Sequence, residues 1–238
     1  MKTQPLKEDF VIEDENGRLR GDLLTIASRI SHDLRTPLGG IVTAAEVLQE
    51  MLTEVKQPET LTKAILNSVD DMTRLIRQVC VVARATAQPQ PLKPVNMSLV
   101  VATALQRTER LVAKRGDTVA EPSSWPQVKG VPDWLEYVWS SFLTNAIQHS
   151  AEKVRVELSW REENGWYKFG VTDNNGGGVR EDLRPTLFYP FNLLHKPEGG
   201  TRGLSLSIVQ RLMELQGGAC GYEPLPGGSY FYFSLRAG

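Results

Sequence analysis

The residues with the clearest capacity for chemistry lie in the run Ser31-His32-Asp33-Leu34-Arg35-Thr36-Pro37-Leu38. His32 falls between the seam positions of an apolar helical stripe, so at about 100° per residue its imidazole points away from the seam and towards solvent. The carboxylate of Asp33 can accept the Nδ1 proton and raise the nucleophilicity of Nε2. Thr36 lies one helical turn further along the same face, where its hydroxyl could position a water molecule. A surface histidine alone predicts little, but this combination predicts a nucleophilic histidine.

Two further segments have the residue types of a ligand pocket. Asn145 places a side-chain amide near the end of a predicted helix. Asp173 follows a predicted strand and precedes Gly176 and Gly178, where the backbone can approach a ligand closely. Each segment alone also fits a simpler interpretation, the polar face of a helix or an ordinary glycine-rich loop.

A third segment adds features suited to phosphate. Arg202 and Gly203 open a predicted helix, and backbone amides at a helix N-terminus favour an anion. The guanidinium of Arg202 can add a charge-assisted hydrogen bond. An aromatic cluster, Phe-Tyr-Pro-Phe at residues 188–191, precedes this segment, although such clusters more often belong to a core.

Two apolar stripes define the element that carries His32. Apolar residues recur every three or four positions from Leu23 to Leu52, and again from Leu61 to Val82. This spacing predicts two helices of about thirty residues each, joined as a hairpin. A lone hairpin leaves apolar surface exposed, so we expect two copies to pair as a four-helix bundle and form a homodimer. A second domain that covers part of the stripe is the alternative.

The pattern along the chain predicts a polar lead-in at residues 1–21, the hairpin at 22–87, a proline-rich linker at 88–95 and a second domain at 96–238. Asn164-Gly165 between two alternating runs predicts a hairpin turn. In the second domain the spacing predicts helices at 98–114, 132–149 and 204–215 and strands at 154–160, 167–171 and 230–235. The predicted fold class is therefore α+β, with a sheet that carries helices on one face.

The run around His32 resembles the phospho-accepting motif of the sensor histidine kinases of two-component systems. The later segments resemble the ATP-binding boxes of that family, in the same order along residues 22–238. The resemblance implies a dimerisation and histidine-phosphotransfer hairpin followed by an α/β sandwich of the histidine kinase ATPase type. It also implies that Asp173 accepts a hydrogen bond from the adenine amino group, that Asn145 binds Mg²⁺ and that the aromatic cluster begins a lid over ATP.

Several residues in these boxes depart from the family pattern. The family usually has a second asparagine where Ser141 stands and a lysine where Gln148 stands. It usually has glycine where Asn175, Thr201 and Ser205 stand. These departures predict a partly degenerate ATP site.

The resemblance implies an ATP-dependent protein histidine kinase. Mg²⁺ and ATP would serve phosphorylation of His32, and the phosphoryl group would pass to an aspartate of a response-regulator receiver domain. Thr36 would support hydrolysis of the regulator's phosphoaspartate. A separate sensor protein is expected as a partner, because residues 1–21 are too few to form a sensor domain.

Two other functions remain open. A phosphotransfer adaptor would keep the dimeric hairpin and His32 but would relay phosphate between regulators without ATP. A dimeric binding module would have neither activity.

Composition sets the remaining expectations. The formal net charge of -1 and the lack of a basic run argue against nucleic-acid binding. No apolar run approaches the roughly 18 residues that a membrane span requires, so we expect a cytoplasmic protein with no direct membrane span. Cys80 and Cys220 lack metal-ligand spacing, and we expect two reduced, buried thiols.

Overall fold

The computed structural model of the protein describes residues 34, 37–47, 58–87, 90–149, 153–174, 178–189 and 204–237. The chain divides into two compact units, one that ends at Val79 and one that begins at Cys80. None of the helices within the described ranges combines the length and the apolarity that a bilayer crossing demands.

The described residues of the first unit are helical. Helix α1 covers the described residues 37–47, and α2 runs from Pro58 to Ala87 over 30 residues. The predicted apolar stripe of α2 is partly or fully buried throughout, and its Leu75 is buried, as is Ala44 of α1. The helices pack against each other, because a Cβ built on Gly40 would lie 3.4 Å from the Ser68 Oγ. The predicted pairing of two helices is therefore seen over the part of each helix that the structure describes.

The second unit contains a mixed sheet and three helices. Its central sheet has the strand order β2-β4-β5-β7-β6, in which β2 and β4 are parallel and the other neighbours are antiparallel. A separate two-stranded sheet pairs β1 with β3. The elements are β1 (Lys93–Asn96), α3 (Met97–Arg115), β2 (Thr118–Ala120), β3 (Gln127–Gly130), α4 (Pro132–Gln148), β4 (Arg155–Glu163), β5 (Trp166–Asp173), a 3-10 turn (Glu181–Thr186), α5 (Leu204–Leu215), β6 (Ala219–Leu225) and β7 (Gly228–Arg236).

The core lies between one face of this sheet and the helices. Trp139 of α4 packs edge-on against Phe233, with the ring centroids 5.3 Å apart, and Phe169 stacks on Phe233 at 5.1 Å. All three side chains are fully buried, and burial of each large apolar side chain contributes about 1.5–3 kcal/mol. The opposite face of the sheet carries polar side chains, including Lys168 in an ion pair with Glu223. The predicted α+β class, with helices on one face of a sheet, is confirmed.

Two details differ from the expectations. Lys93 and Pro94 lie in β1, although their segment has the composition of a linker; proline is tolerated because β1 has a neighbouring strand on one side only. The cysteines are not both buried: Cys80 is exposed and Cys220 is half-buried. Burial raises the pKa of the Cys220 thiol to about 12.

Candidate functional site

Asp173 is the last residue of β5, and only 3% of its surface is exposed. Val156 of β4 and Ser229 of β7 pair with it on either side. The following residue, Asn174, accepts a hydrogen bond from the Arg155 backbone N–H, at 2.7 Å from its Oδ1. The sheet pairing and this hydrogen bond therefore fix the Asp173 carboxylate at the end of β5.

Gly228 makes an unusually close contact with Asp173. A Cβ built on Gly228 would lie 1.8 Å from the Asp173 carbonyl oxygen, which is far inside van der Waals distance. Only glycine lets β7 begin at this distance from the end of β5. The sequence analysis did not single out Gly228, for which the glycine pair at 227–228 was the available signal.

Helix α4 brings Asn145 to the same end of the sheet as Asp173. The helix begins with Pro132 at its first turn, where the missing amide proton does no harm. Along the helix, Trp139 packs near Phe169, and Phe142 then packs against Phe231, whose strand partner is Val171. The helix therefore advances along the sheet towards the end that carries Asp173. Asn145 is half-buried and lies one turn beyond Phe142.

Helix α5 begins at this end as well. Gln216, just after α5, accepts a hydrogen bond from the Val131 backbone N–H, 2.8 Å from its Oε1. Val131 directly precedes α4, so the end of α5 lies beside the beginning of α4. Since the two helices pack together, they run antiparallel, and the first turn of α5 points towards the end of α4 that carries Asn145.

The loop after Asp173 returns to the sheet at Gly178 and Val179. The Val179 backbone N–H donates to the Tyr222 hydroxyl at 2.9 Å, and the Val179 carbonyl accepts from the Arg184 Nε at 2.9 Å. Gly178 has φ of +56°, a backbone conformation that favours glycine. The sequence analysis predicted Gly178 but missed Tyr222 and Arg184, because no local pattern pairs side chains with a backbone group this far away in sequence.

The residues that depart from the family pattern in α4 are part of the same helix end. Ser141 is buried one turn before Asn145, and Gln148 is exposed. His149 ends the helix, and its backbone N–H donates to the Asn145 carbonyl at 3.2 Å. Partial desolvation lowers the pKa of the His149 imidazole, which favours its neutral form.

The aromatic cluster at residues 188–191 is described only in its first half. Phe188 packs against the core, and Tyr189 is exposed. The remaining predicted site residues lie outside the described residues, and these are His32, Asp33, Thr36, Gly176, Arg202 and Gly203. Of the predicted set, the structure thus brings together Asn145, Asp173 and Gly178.

The Asn145 side chain offers an amide oxygen at this end, a type of ligand that could hold Mg²⁺. Within the described ranges no three histidine, cysteine or acidic side chains converge as a metal cluster. Mg²⁺ keeps several water molecules and binds through few protein oxygens and substrate phosphates. The half-buried Asn145 amide fits such an ion, whereas a closed metal cage would need more ligands.

Both parts of the chain match known protein families. Residues 22–88 match the His Kinase A (phospho-acceptor) domain. Residues 130–238 match the family described as Histidine kinase-, DNA gyrase B-, and HSP90-like ATPase. The first match includes the predicted nucleophilic histidine, and the second includes the helix and strand ends that group Asn145 and Asp173.

Comparisons with individual proteins support these family matches. The sensor histidine kinase AruS of Pseudomonas aeruginosa is 30% identical over 221 residues, which cover 87% of this chain and 22% of AruS. A crystal structure of the histidine kinase ThkA in complex with the response regulator protein TrrA has a TM-score of 0.74 at 20% identity, and covers 99% of this chain and 68% of that chain. Full-length ShkA in complex with AMPPNP has a TM-score of 0.61 at 26% identity, and covers 89% of this chain and 45% of that chain.

These similarities establish the fold of the chain and the share of each relative's length that the chain spans. The likeness to ThkA confirms the predicted order of a helical region followed by an ATPase-type sheet domain. The chain spans between 22% and 41% of the lengths of four curated relatives, AruS among them.

Proposed function

Because the chain belongs to the sensor histidine kinases of two-component systems, we propose that it is the kinase core of such a system. In this proposal it transfers the γ-phosphoryl group of ATP to His32 and passes it to an aspartate of a response regulator. The observation that carries the proposal is the grouping of Asp173, Asn145 and the first turn of α5 at one end of the second unit.

The proposed chemistry at His32 is an in-line phosphoryl transfer. The imidazole Nε2 attacks the γ-phosphorus of ATP, the new N–P bond forms, and the bond to the β-γ bridging oxygen breaks with departure of ADP. Asp33 orients the imidazole through Nδ1 and accepts its proton. In the second step an aspartate oxygen of the regulator displaces the imidazole, and Thr36 positions water when the regulator's phosphoaspartate is hydrolysed.

The nucleotide is held by the residues grouped at the end of the second unit. The buried Asp173 carboxylate would accept a hydrogen bond from the adenine amino group, and the backbone amides at the start of α5 and the guanidinium of Arg202 would bind the phosphates. Asn145 would provide an oxygen ligand to Mg²⁺, an ion that would supply charge neutralisation at the phosphate oxygens. The AMPPNP bound by the related ShkA supports a nucleotide site in this domain.

The proposal includes a homodimer formed through α1 and α2. The side chains of Leu66, Val69, Ile76 and Cys80 are exposed on α2 and recur every three to seven residues. At 100° per residue this face is turned by roughly 110° from the stripe that packs against α1. In a four-helix bundle each helix contacts two neighbours at about this angle, so a second copy of the hairpin would cover the exposed face.

A labelling experiment tests the kinase activity. With Mg²⁺ and γ-labelled ATP, the chain should acquire an acid-labile, base-stable label. The sequence has three histidines, so matched variants assign the site: His32→Gln should abolish the label, and His149→Gln and His195→Gln should retain it. Full labelling of His32→Gln would refute the assignment to His32.

One observation favours a phosphotransfer adaptor as the second candidate. The exposed Gln148 and the buried Ser141 lie where the family usually has lysine and asparagine, so the site offers one positive charge and one amide fewer to the phosphates. An adaptor would take no label from ATP but would take phosphate from a phosphorylated receiver domain. Loss of Mg·ATP binding in Asp173→Ala would support the kinase, because an adaptor has no nucleotide affinity to lose.

A further inference from the structure

We propose that Tyr222 is a positioning residue for the nucleotide site and that Arg184 assists it. Tyr222 lies on β6, beyond the strand that pairs with Asp173. Its hydroxyl accepts a hydrogen bond from the Val179 backbone N–H at 2.9 Å, while the Arg184 Nε donates to the carbonyl of the same residue at 2.9 Å. Both backbone polar groups of Val179 are therefore held by side chains from different elements.

The hydrogen bonds of Tyr222 and Arg184 to Val179 form a clamp. This clamp fixes Gly178, the described residue at the far end of the loop that follows Asp173. A Cβ built on Gly178 would lie 3.2 Å from the Tyr222 hydroxyl and 3.6 Å from the Gly228 carbonyl oxygen. Gly228 in turn contacts the Asp173 backbone. The Gly178 backbone thus lies close to both the Tyr222 hydroxyl and the Gly228 carbonyl, and Gly228 lies against the backbone of Asp173, whose carboxylate would bind the base.

Tyr222 is itself held rigidly enough to act as an anchor. Its ring packs against Phe231, with the centroids 5.0 Å apart, and the two residues are register partners in β6 and β7. Phe231 belongs to the buried core of the unit. The phenol oxygen therefore has a fixed position, and the Val179 backbone that it holds is fixed before a ligand arrives, which reduces the entropy lost on binding.

The inference rests on the proposed function, since it assumes that nucleotide binds beside the backbone of Gly178 and Val179. Tyr222→Phe removes only the hydroxyl, and Arg184→Met removes the other half of the clamp. Tyr232→Phe is the matched control, because Tyr232 lies on the outer face of the sheet, with its ring beneath the Lys168 ammonium at 3.6 Å. The three variants and the unaltered chain are compared for Mg·ATP affinity, for KM and kcat of His32 labelling, and for amide hydrogen exchange at Val179.

In Tyr222→Phe we expect faster exchange of the Val179 amide and an affinity for Mg·ATP that is weaker by about fivefold, the effect of one hydrogen bond. KM for ATP should rise by the same factor while kcat changes by less than about twofold, since the hydroxyl contacts no reacting atom. Arg184→Met should act in the same direction, and Tyr232→Phe should match the unaltered chain.

The outcomes separate this inference from the proposed function. If the unaltered chain binds Mg·ATP and Tyr222→Phe binds it equally well, the positioning role is wrong and the kinase proposal stands. If exchange accelerates without any change in affinity or KM, the hydroxyl has a structural role only and the inference is overturned. If the unaltered chain shows no affinity for Mg·ATP, the proposed function is wrong, and this inference is wrong as well.

Discussion

Gly228 is the residue at which the geometry of the candidate site allows the least change. Its backbone lies so close to Asp173 that an added Cβ would sit 1.8 Å from a carbonyl oxygen. The obstacle is a backbone atom at the end of β5, the central strand of a five-stranded sheet, and it cannot rotate away as a flexible side chain could. Any side chain here must move the end of β5, and with it the Asp173 carboxylate.

Gly228→Ala should therefore destabilise the second unit by about 2 kcal/mol, as overpacking of a core does. It should also weaken Mg·ATP binding. Unfolding can be followed by tryptophan fluorescence in denaturant, since all five tryptophans lie between Trp125 and Trp166 in this unit. Gly39→Ala is the matched control, because a Cβ there meets nothing within 4 Å. Equal unfolding midpoints for the two variants would contradict the close contact.

Only part of the candidate site was predictable from residue patterns. Asn145 and Asp173 could be predicted because each belongs to a motif with a recognisable local spacing. Tyr222 and Arg184 could not, since their partner is a backbone group of Val179, which any residue type would supply. The hydrogen bond to Tyr222 also spans 43 positions in sequence, and the register of β6 on β7 alone sets it.

At the scale of elements, Gln216 determines how α5 is placed against α4. Its Oε1 accepts from the Val131 N–H at 2.8 Å, and its Nε2 donates to the Leu212 carbonyl at 3.0 Å. The side chain is buried and satisfies one backbone group at the beginning of α4 and one at the end of α5. The antiparallel placement of these helices brings the first turn of α5 to the end that carries Asn145.

Gln216→Ala should leave the Val131 N–H buried without a hydrogen-bond partner and lower the stability of the second unit by about 1–3 kcal/mol. Tryptophan fluorescence in denaturant measures this loss directly. The matched control is Gln210→Ala on the same helix, where the lost hydrogen bond to Glu214 is at the surface and the expected change stays within about 0.5 kcal/mol. A loss of stability in Gln216→Ala no larger than in the control would show that the Gln216 hydrogen bonds contribute little to stability.

The predictability of the elements follows their length. The helix expected at 98–114 is found at Met97–Arg115, and the hairpin expected around Asn164-Gly165 joins β4 to β5. These segments repeat their pattern over seven or more residues. By contrast β1, β2 and β3 have three or four residues each, too few for a period to emerge. Their pairing depends on tertiary contacts. Val95, for example, is buried although it directly follows Pro94 in a segment with the composition of a linker.

At the scale of the whole molecule, the exposed apolar side chains of the first unit need a partner. Leu38 and Val42 lie one turn apart on α1, and both are exposed. They are turned away from the buried Ala44, just as Leu66 and Val69 of α2 are turned away from Leu75. Each helix thus has one apolar face covered within the chain and a second one that a further copy of the hairpin would cover.

Val69→Glu should convert the proposed dimer to a monomer. The substitution places a carboxylate in the centre of the exposed face, where dimerisation would bury it without a compensating partner. Sedimentation equilibrium should give the mass of two 26.5 kDa chains for the unaltered protein and of one for the variant.

Asn67→Glu is the matched control, since Asn67 is exposed on the opposite side of α2, and this variant should stay dimeric. Tryptophan-monitored unfolding of the second unit should be the same in both variants, because their charges lie in the first unit. A Val69→Glu chain that still sediments as two copies would mean that the exposed face of α2 is not the dimer interface.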